Sequence, residues 1–168
     1  MSKLLKGAIV ALVIAGFSGC TSTSDIQVEA MKSEKVNLDG YKTYEIIEGS
    51  GIVDGTKRTD NLDVNAEMQQ MINTELAKKG KTLVTKDPDF YVAYAAGTDM
   101  EAVKEKLDDA GKKTVEERPE AAMVLILIDA ETGVIIGIST AEGEVKSLPA
   151  EDVKKRLNYA IKKMLSGL

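Results

Sequence analysis

"AAMVLILIDAETGVIIGIST", residues 121–140, reads as two strands joined by a short turn. Ala121 to Ile128 is apolar throughout, Asp129 to Gly133 turns the chain, and Val134 to Val145 returns as the partner strand. Gly133 suits a left-handed backbone position at the end of that turn. Alternation places Met123, Leu125 and Leu127 on one face of the first strand and Ala122, Val124, Ile126 and Ile128 on the other. In the return strand it separates Val134, Ile136 and Ile138 from Ile135, Gly137, Ser139 and Ala141. The smaller set suits close helix packing, and the larger set needs other cover. The expectation is that segment 99–118 covers part of that face and leaves an apolar groove for binding.

The flanking sequence supplies the helices. Pro149 to Leu165 is amphipathic, with Val153, Leu157, Ile161, Met164 and Leu165 facing inward; Pro149 fits the first turn, and Glu151 and Asp152 favour its dipole. Residues 62–79 carry Val64, Met68, Met71, Ile72 and Leu76 on one face, with Asp60 as the expected cap and Gly80 as the stop. "IQVEA" from Ile26, "YKTYEIIE" (41–48) and "FYVAYAAG" (90–97) read as strands. "DPD" (87–89) is a turn and 49–61 a glycine-rich loop. Residues 98–111 read as a short helix, with a Thr98/Glu101 capping box and a Gly111 stop, and 112–120 as an exposed charged stretch. This order predicts an α+β domain: a two-layer sandwich of a mainly antiparallel sheet with the helices of 62–79 and 150–165 on one face.

The N-terminus has its own logic. Lys3 and Lys6 precede an apolar run from Gly7 to Phe17, then Ser18, Gly19 and Cys20. That is the layout of a secretory signal. The run is about half the ~20 apolar residues a spanning helix needs, and it lacks the polar face of a surface helix. Phe17-Ser18-Gly19-Cys20 resembles the bacterial lipobox, in which the cysteine is lipidated and becomes the first mature residue. Residues 1–19 are therefore expected to be a signal peptide, 20–25 a lipidated Cys20 with a short polar tether, and 26–168 a single periplasmic domain. Thr21, in place of the aspartate that retains lipoproteins at the inner membrane, implies the outer membrane by that resemblance. Extra acyl chains make such an anchor stable at ~0.8 kcal/mol per buried CH₂. Without residues 1–19 the net charge falls from −5 to −7, so the lipid, and not attraction to anionic head groups, must do the holding.

Composition removes several function classes. The acidic balance gives no electrostatic support for nucleic-acid binding. With no His and one Cys, the usual zinc sites and the Ser-His-Asp and Cys-His nucleophile arrangements are unavailable. Asp87/Asp89 and Asp108/Asp109 lack the density of a calcium loop and read as turn and helix-end residues. Gly49-x-Gly51-x-x-x-Gly55 fails as a dinucleotide or phosphate motif, because the following helix starts too far away. Lys154, Lys155, Arg156, Lys162 and Lys163 put a basic surface on the last helix, read as a solvated face. No catalytic, cofactor or metal residue stands out, and no cofactor is expected; the one site residue is Cys20.

"YKTYEI", the helix ending "ELAKKG", "TLVTKDPDFYVAYAAG", the hairpin "VLILIDAETGVIIG" and a final helix together resemble the bacterial lipoprotein family that carries domain of unknown function 4136. The resemblance covers residues 26–165 and rests on a tyrosine strand, an Asp-Pro-Asp turn and an Asp-x-x-Thr-Gly hairpin. It implies a fold class and a location, and no activity. The expectation is a lipid-anchored binding or assembly module of the cell envelope, with an envelope protein or a second copy as partner. The alternatives are an envelope enzyme that hydrolyses glycans with carboxylates, and a purely structural lipoprotein.

Overall fold

The structure is a computed structural model that describes residues 22–33, 38–52, 62–97, 123–143 and 148–168. The expected helix at 98–111, the charged stretch after it and Cys20 lie outside the described residues. In chain order the elements are β1 (Gln27–Lys32), β2 (Thr43–Ile46), β3 (Gly51–Ile52), α1 (Val64–Lys78), β4 (Thr82–Leu83), β5 (Phe90–Ala96), β6 (Met123–Asp129), β7 (Ile135–Glu142) and α2 (Ala150–Gly167). They form an α+β fold around one seven-stranded sheet ordered β1-β7-β6-β5-β2-β4, with β3 beside β5.

The opening hairpin occupies the middle of that sheet. β6 pairs antiparallel with both β5 and β7, and it is buried on both faces, through Leu125 and Leu127 beneath the helices and Val124 and Ile126 on the other side. Gly133 takes φ +69° at the turn, as the sequence requires. The long ladders, β1–β7, β6–β7 and β5–β6, are antiparallel. The short ones are parallel: β2 with β4 and β5, and β3 with β5. The sheet is thus mixed, because α1 carries the chain back over the sheet between β2 and β5.

Alternation fails at one place in the return strand. Leu127 pairs with Gly137 but Ile128 pairs with Ile135, so Ile136 is an extra residue in a β-bulge. Ile136 consequently joins the cluster beneath the helices, with Met123, Leu125, Leu127 and Ala141. Ile135 and Ile138 join Ala93, Ala95, Val124, Ile126 and Ile128 on the opposite face. The expected grouping of Val134, Ile136 and Ile138 is corrected accordingly. The small-residue prediction holds at Gly137, where an added Cβ would come within 2.9 Å of Leu168.

Both helices contribute to the first cluster, α1 through Met68, Ile72 and Leu76, α2 through Ala160, Ile161, Met164 and Leu165. Leu157, expected to be fully inward, is half-buried at its edge. The cap of α1 is Asp63, whose side chain accepts from the Ala66 N–H at 3.0 Å. Asp60 was the sequence expectation, but a capping side chain reaches only two or three residues ahead, and the helix starts at Val64. At the other end Gly80 N–H donates to the Ala77 carbonyl and Lys81 N–H to that of Leu76, the paired bonds of a Schellman ending. Pro149 stands at the cap of α2 rather than inside its first turn. Two tyrosines bolt α1 to the sheet: Tyr44 donates to Asn73 and Tyr94 to Asn65, both at 2.8 Å. Gly51 makes room for the second bond, since a Cβ there would lie 2.6 Å from Asn65 Oδ1.

Candidate functional site

The residues of the sequence motifs meet at one end of the sheet. Asp129 closes its own turn by accepting from Thr132 N–H and Thr132 Oγ1–H on Oδ1, each at 2.7 Å. Its Oδ2 accepts from the Tyr41 hydroxyl at 2.5 Å. Asp89, at the end of the Asp-Pro-Asp turn, accepts on Oδ2 from the backbone N–H of Lys42 (2.6 Å) and Thr43 (2.8 Å). Its carbonyl in turn accepts from Ala130 N–H. Lys81 Nζ donates to the carbonyls of Leu38 and Tyr41. Tyr41 also meets Phe90 edge-on, and Phe90 stacks on Tyr44. Three chain segments far apart in sequence are therefore joined through two carboxylates and three aromatic rings.

The protonation states define what this junction can do. Hydrogen bonds from Tyr41 and Thr132 hold Asp129 down at about 2. The same Asp129 bond, with burial and the neighbouring carboxylates, pushes Tyr41 up to about 12. Backbone donors at Lys42 and Thr43 lower Asp89 as well, and burial lowers Lys81. A glycan-cleaving pair needs one carboxyl raised far enough to donate a proton. Asp89 and Asp129 are both shifted the opposite way, and their hydrogen bonds latch the three segments together.

A pH dependence follows. Asp129 has its folded pKa below its ordinary value of 3.8, so its contribution is complete above ~4 and is lost as pH falls toward 2. Asp89 acts with the same sign. Urea midpoints are expected to decline from pH 4 to 2.5 in the parent protein and more gently in Asp129→Asn, which already lacks the ionised partner. Parallel declines in the two proteins would contradict the latch.

The second polar cluster ties the N-terminus to α2. Arg156 donates through Nη1 and Nη2 to the two oxygens of Asp25, at 2.8 and 2.5 Å, and through Nη1 to the Ser22 carbonyl at 2.5 Å. The pair is largely withdrawn from water, with the side chains 11% and 15% exposed. Residues 22–25, read from sequence as a plain tether, are folded back by an Ile26 N–H bond to the Thr23 carbonyl. The sequence pattern places Arg156 among the solvated cations of the last helix, and the structure instead pairs it with Asp25. No local signal links an aspartate before a strand to an arginine 131 positions later.

The rest of the basic helix is partly neutralised. Lys154 pairs with Glu67 of α1 at 2.6 Å, Lys155 pairs with Asp152 at 3.1 Å, and Lys163 lies over the Tyr159 ring. Lys162 and Lys163 are exposed, the part of the solvated face that the sequence described correctly. On the second sheet face Val124, Ile126 and Ile138 are buried, and the segment expected to cover that face and border an apolar groove lies outside the described residues. Asp108, Asp109 and segment 99–118 lie outside the described residues. Among the described residues no group of three or more His, Cys, Asp or Glu could hold a metal ion. No helix among them is long and apolar enough to cross a membrane.

Three comparisons with known proteins bear on this arrangement. A family model described as "Domain of unknown function (DUF4136)" matches residues 28–168. The fold is similar to a DUF4136 family protein from Bacteroides thetaiotaomicron, with TM-score 0.61, 8% identity, and 84% of this chain and 95% of that one covered. It is also similar to the PelC dodecamer from Paraburkholderia phytofirmans, with TM-score 0.50, 12% identity, and 84% and 96% covered. At these identities the likeness is one of fold. No curated protein matches the sequence.

Proposed function

This chain belongs to the DUF4136 family, and from that premise we propose that it is a lipid-anchored module of the bacterial envelope that binds or assembles with other proteins and performs no catalysis. The observation that carries the reading is the run of Lys3, Lys6, an apolar stretch and Ser18-Gly19-Cys20 ahead of a folded domain. Cys20 bears the acyl chains, and the domain faces the periplasm from the outer membrane. Its layers are two, with α1 and α2 on one face of the sheet. The latch of Tyr41, Asp89 and Asp129 supports a non-catalytic role, because its carboxylates are arranged to stay ionised. The fold's likeness to a dodecameric protein supports self-assembly as the mode of action, with a second copy of this chain as partner.

Cys20→Ala is the test. In cells making the parent protein, detergent-phase partitioning and an N-terminal mass that includes acyl chains are expected. The variant should lose both and appear in the aqueous phase or as an uncut precursor. Equal membrane retention without lipid mass would overturn the anchor. Light scattering of the detergent-solubilised parent then reads its assembly, and a strict monomer would remove the self-assembly part of the proposal.

A further inference from the structure

The clasp between Arg156 and the first described residues has a consequence for how such a domain would sit on a membrane. A free five-residue tether could extend ~17 Å and let the domain swing. Here the Ser22 carbonyl is held by Arg156, and Asp25 is gripped by the same guanidinium in a forked pair. Charge-assisted forks of this kind fix direction as well as distance. Only Thr21 separates Ser22 from Cys20. Two residue steps reach at most ~7 Å, so the residue at position 20 stays beside the clasp wherever the chain turns.

The clasp has a defined place in the fold. Arg156 packs over Gly143, just past the end of β7, where an added Cβ would lie 3.3 Å from its Nη2. Gln27 at the start of β1 pairs with Glu142 at the same end. From there β7 runs back through eight residues to the turn at 129–133, roughly 25 Å away at ~3.3 Å per residue. α2 starts at the clasp end and finishes with Leu168 against Gly137. The two ends of the domain are therefore an anchoring end, at the clasp and the first turn of α2, and a distal end, at the Tyr41–Asp129 latch.

We propose that the Arg156–Asp25–Ser22 clasp holds the domain in one orientation on the lipid surface, with the first turn of α2 at the head groups and the Tyr41–Asp129 latch facing away from them. This rests on the lipid-anchored reading given above. The net charge of −7 without residues 1–19 provides no overall attraction to anionic head groups, and the exposed Lys162 and Lys163 lie toward the far end of α2, so the device that favours this orientation is the geometric hold near the anchor. A fixed orientation presents the same distal surface from every copy, which an assembly on a membrane plane requires.

The experiment uses the full acylated protein in phosphatidylethanolamine–phosphatidylglycerol vesicles that contain a head-group nitroxide quencher. Acylated Cys20 has no free thiol, so one fluorophore is attached through Glu151→Cys, at the anchoring end, or Glu131→Cys, at the distal turn; both positions are exposed. Quenching at 151 is expected to exceed that at 131 several-fold. Arg156→Gln should bring the ratio close to one while circular dichroism still reports a folded domain. An eight-residue Gly/Ser insertion between Thr21 and Ser22 leaves the clasp intact but frees the anchor, and should collapse the ratio without touching the fold. Equal quenching at both positions in the parent, with acylated Cys20 confirmed by mass, overturns the orientation alone. So does a ratio that survives the insertion. Absence of acyl mass on Cys20 overturns the lipid-anchored reading and this inference with it.

Discussion

Phe90→Ala is expected to lower the unfolding free energy by about 3–5 kcal/mol, the range for removing a large aromatic from a closed core. Phe90 is 1% exposed and opens β5, where its backbone pairs with Tyr44 on one side and Asp129 on the other. Its ring stacks on Tyr44 at 5.6 Å and meets the Tyr41 ring edge-on at 5.9 Å. Truncation thus opens a cavity and leaves the Tyr41 ring without its edge-on partner, and Tyr41 carries the bond to Asp129. Urea unfolding monitored by tyrosine fluorescence measures it. A loss below ~1.5 kcal/mol would mean that the aromatic cluster relaxes to fill the space and is not the keystone of this end of the sheet.

The parts of this design that were legible in the sequence are those encoded locally. Asp129, Thr132 and Gly133 carry a complete turn within five residues, and each does in the fold what its chemistry predicts. The inward stripe of α1 was legible for the same reason, since Met68, Ile72 and Leu76 recur at helical spacing. Ile135 and Ile136 are the same residue type, and nothing local says which one is the extra residue of a bulge. The mainly antiparallel sheet expected from the sequence is what the long ladders form, and the pattern of strand, helix and strand over 41–97 carries the signal for the short parallel pairing of β2 with β5. Asp25 and Arg156 are coupled only by the packing of α2 beside β1, a tertiary contact with no local sequence signal. The latch falls between these cases. Its members stood out as motif residues, yet their convergence on Tyr41 needed the tertiary fold.

Ile126→Glu is expected to leave the domain unfolded at neutral pH. Ile126 is 2% exposed on central strand β6, and its cross-strand neighbours are Ala93 on β5 and Ile138 on β7. Among the described residues its cluster, with Ala95, Val124 and Ile138, contains no residue of α1 or α2. An ionised carboxylate placed at so buried a position loses its hydration, a cost of several kcal/mol against a typical total stability of ~5–15 kcal/mol. Desolvation raises the folded pKa of such a glutamate, so protonation favours the folded form and stability returns as pH falls below that raised value. That sign is opposite to the one at Asp129, whose depressed folded pKa makes acid destabilising. The comparison variant is Leu83→Glu on edge strand β4, where the side chain is 47% exposed and the change should stay within ~0.5 kcal/mol. Circular dichroism and urea midpoints at pH 7 and pH 5 separate the outcomes. If Ile126→Glu is folded at pH 7 and as stable as Leu83→Glu, the second face of the sheet is open to solvent, and a docking surface would have to be sought there after all.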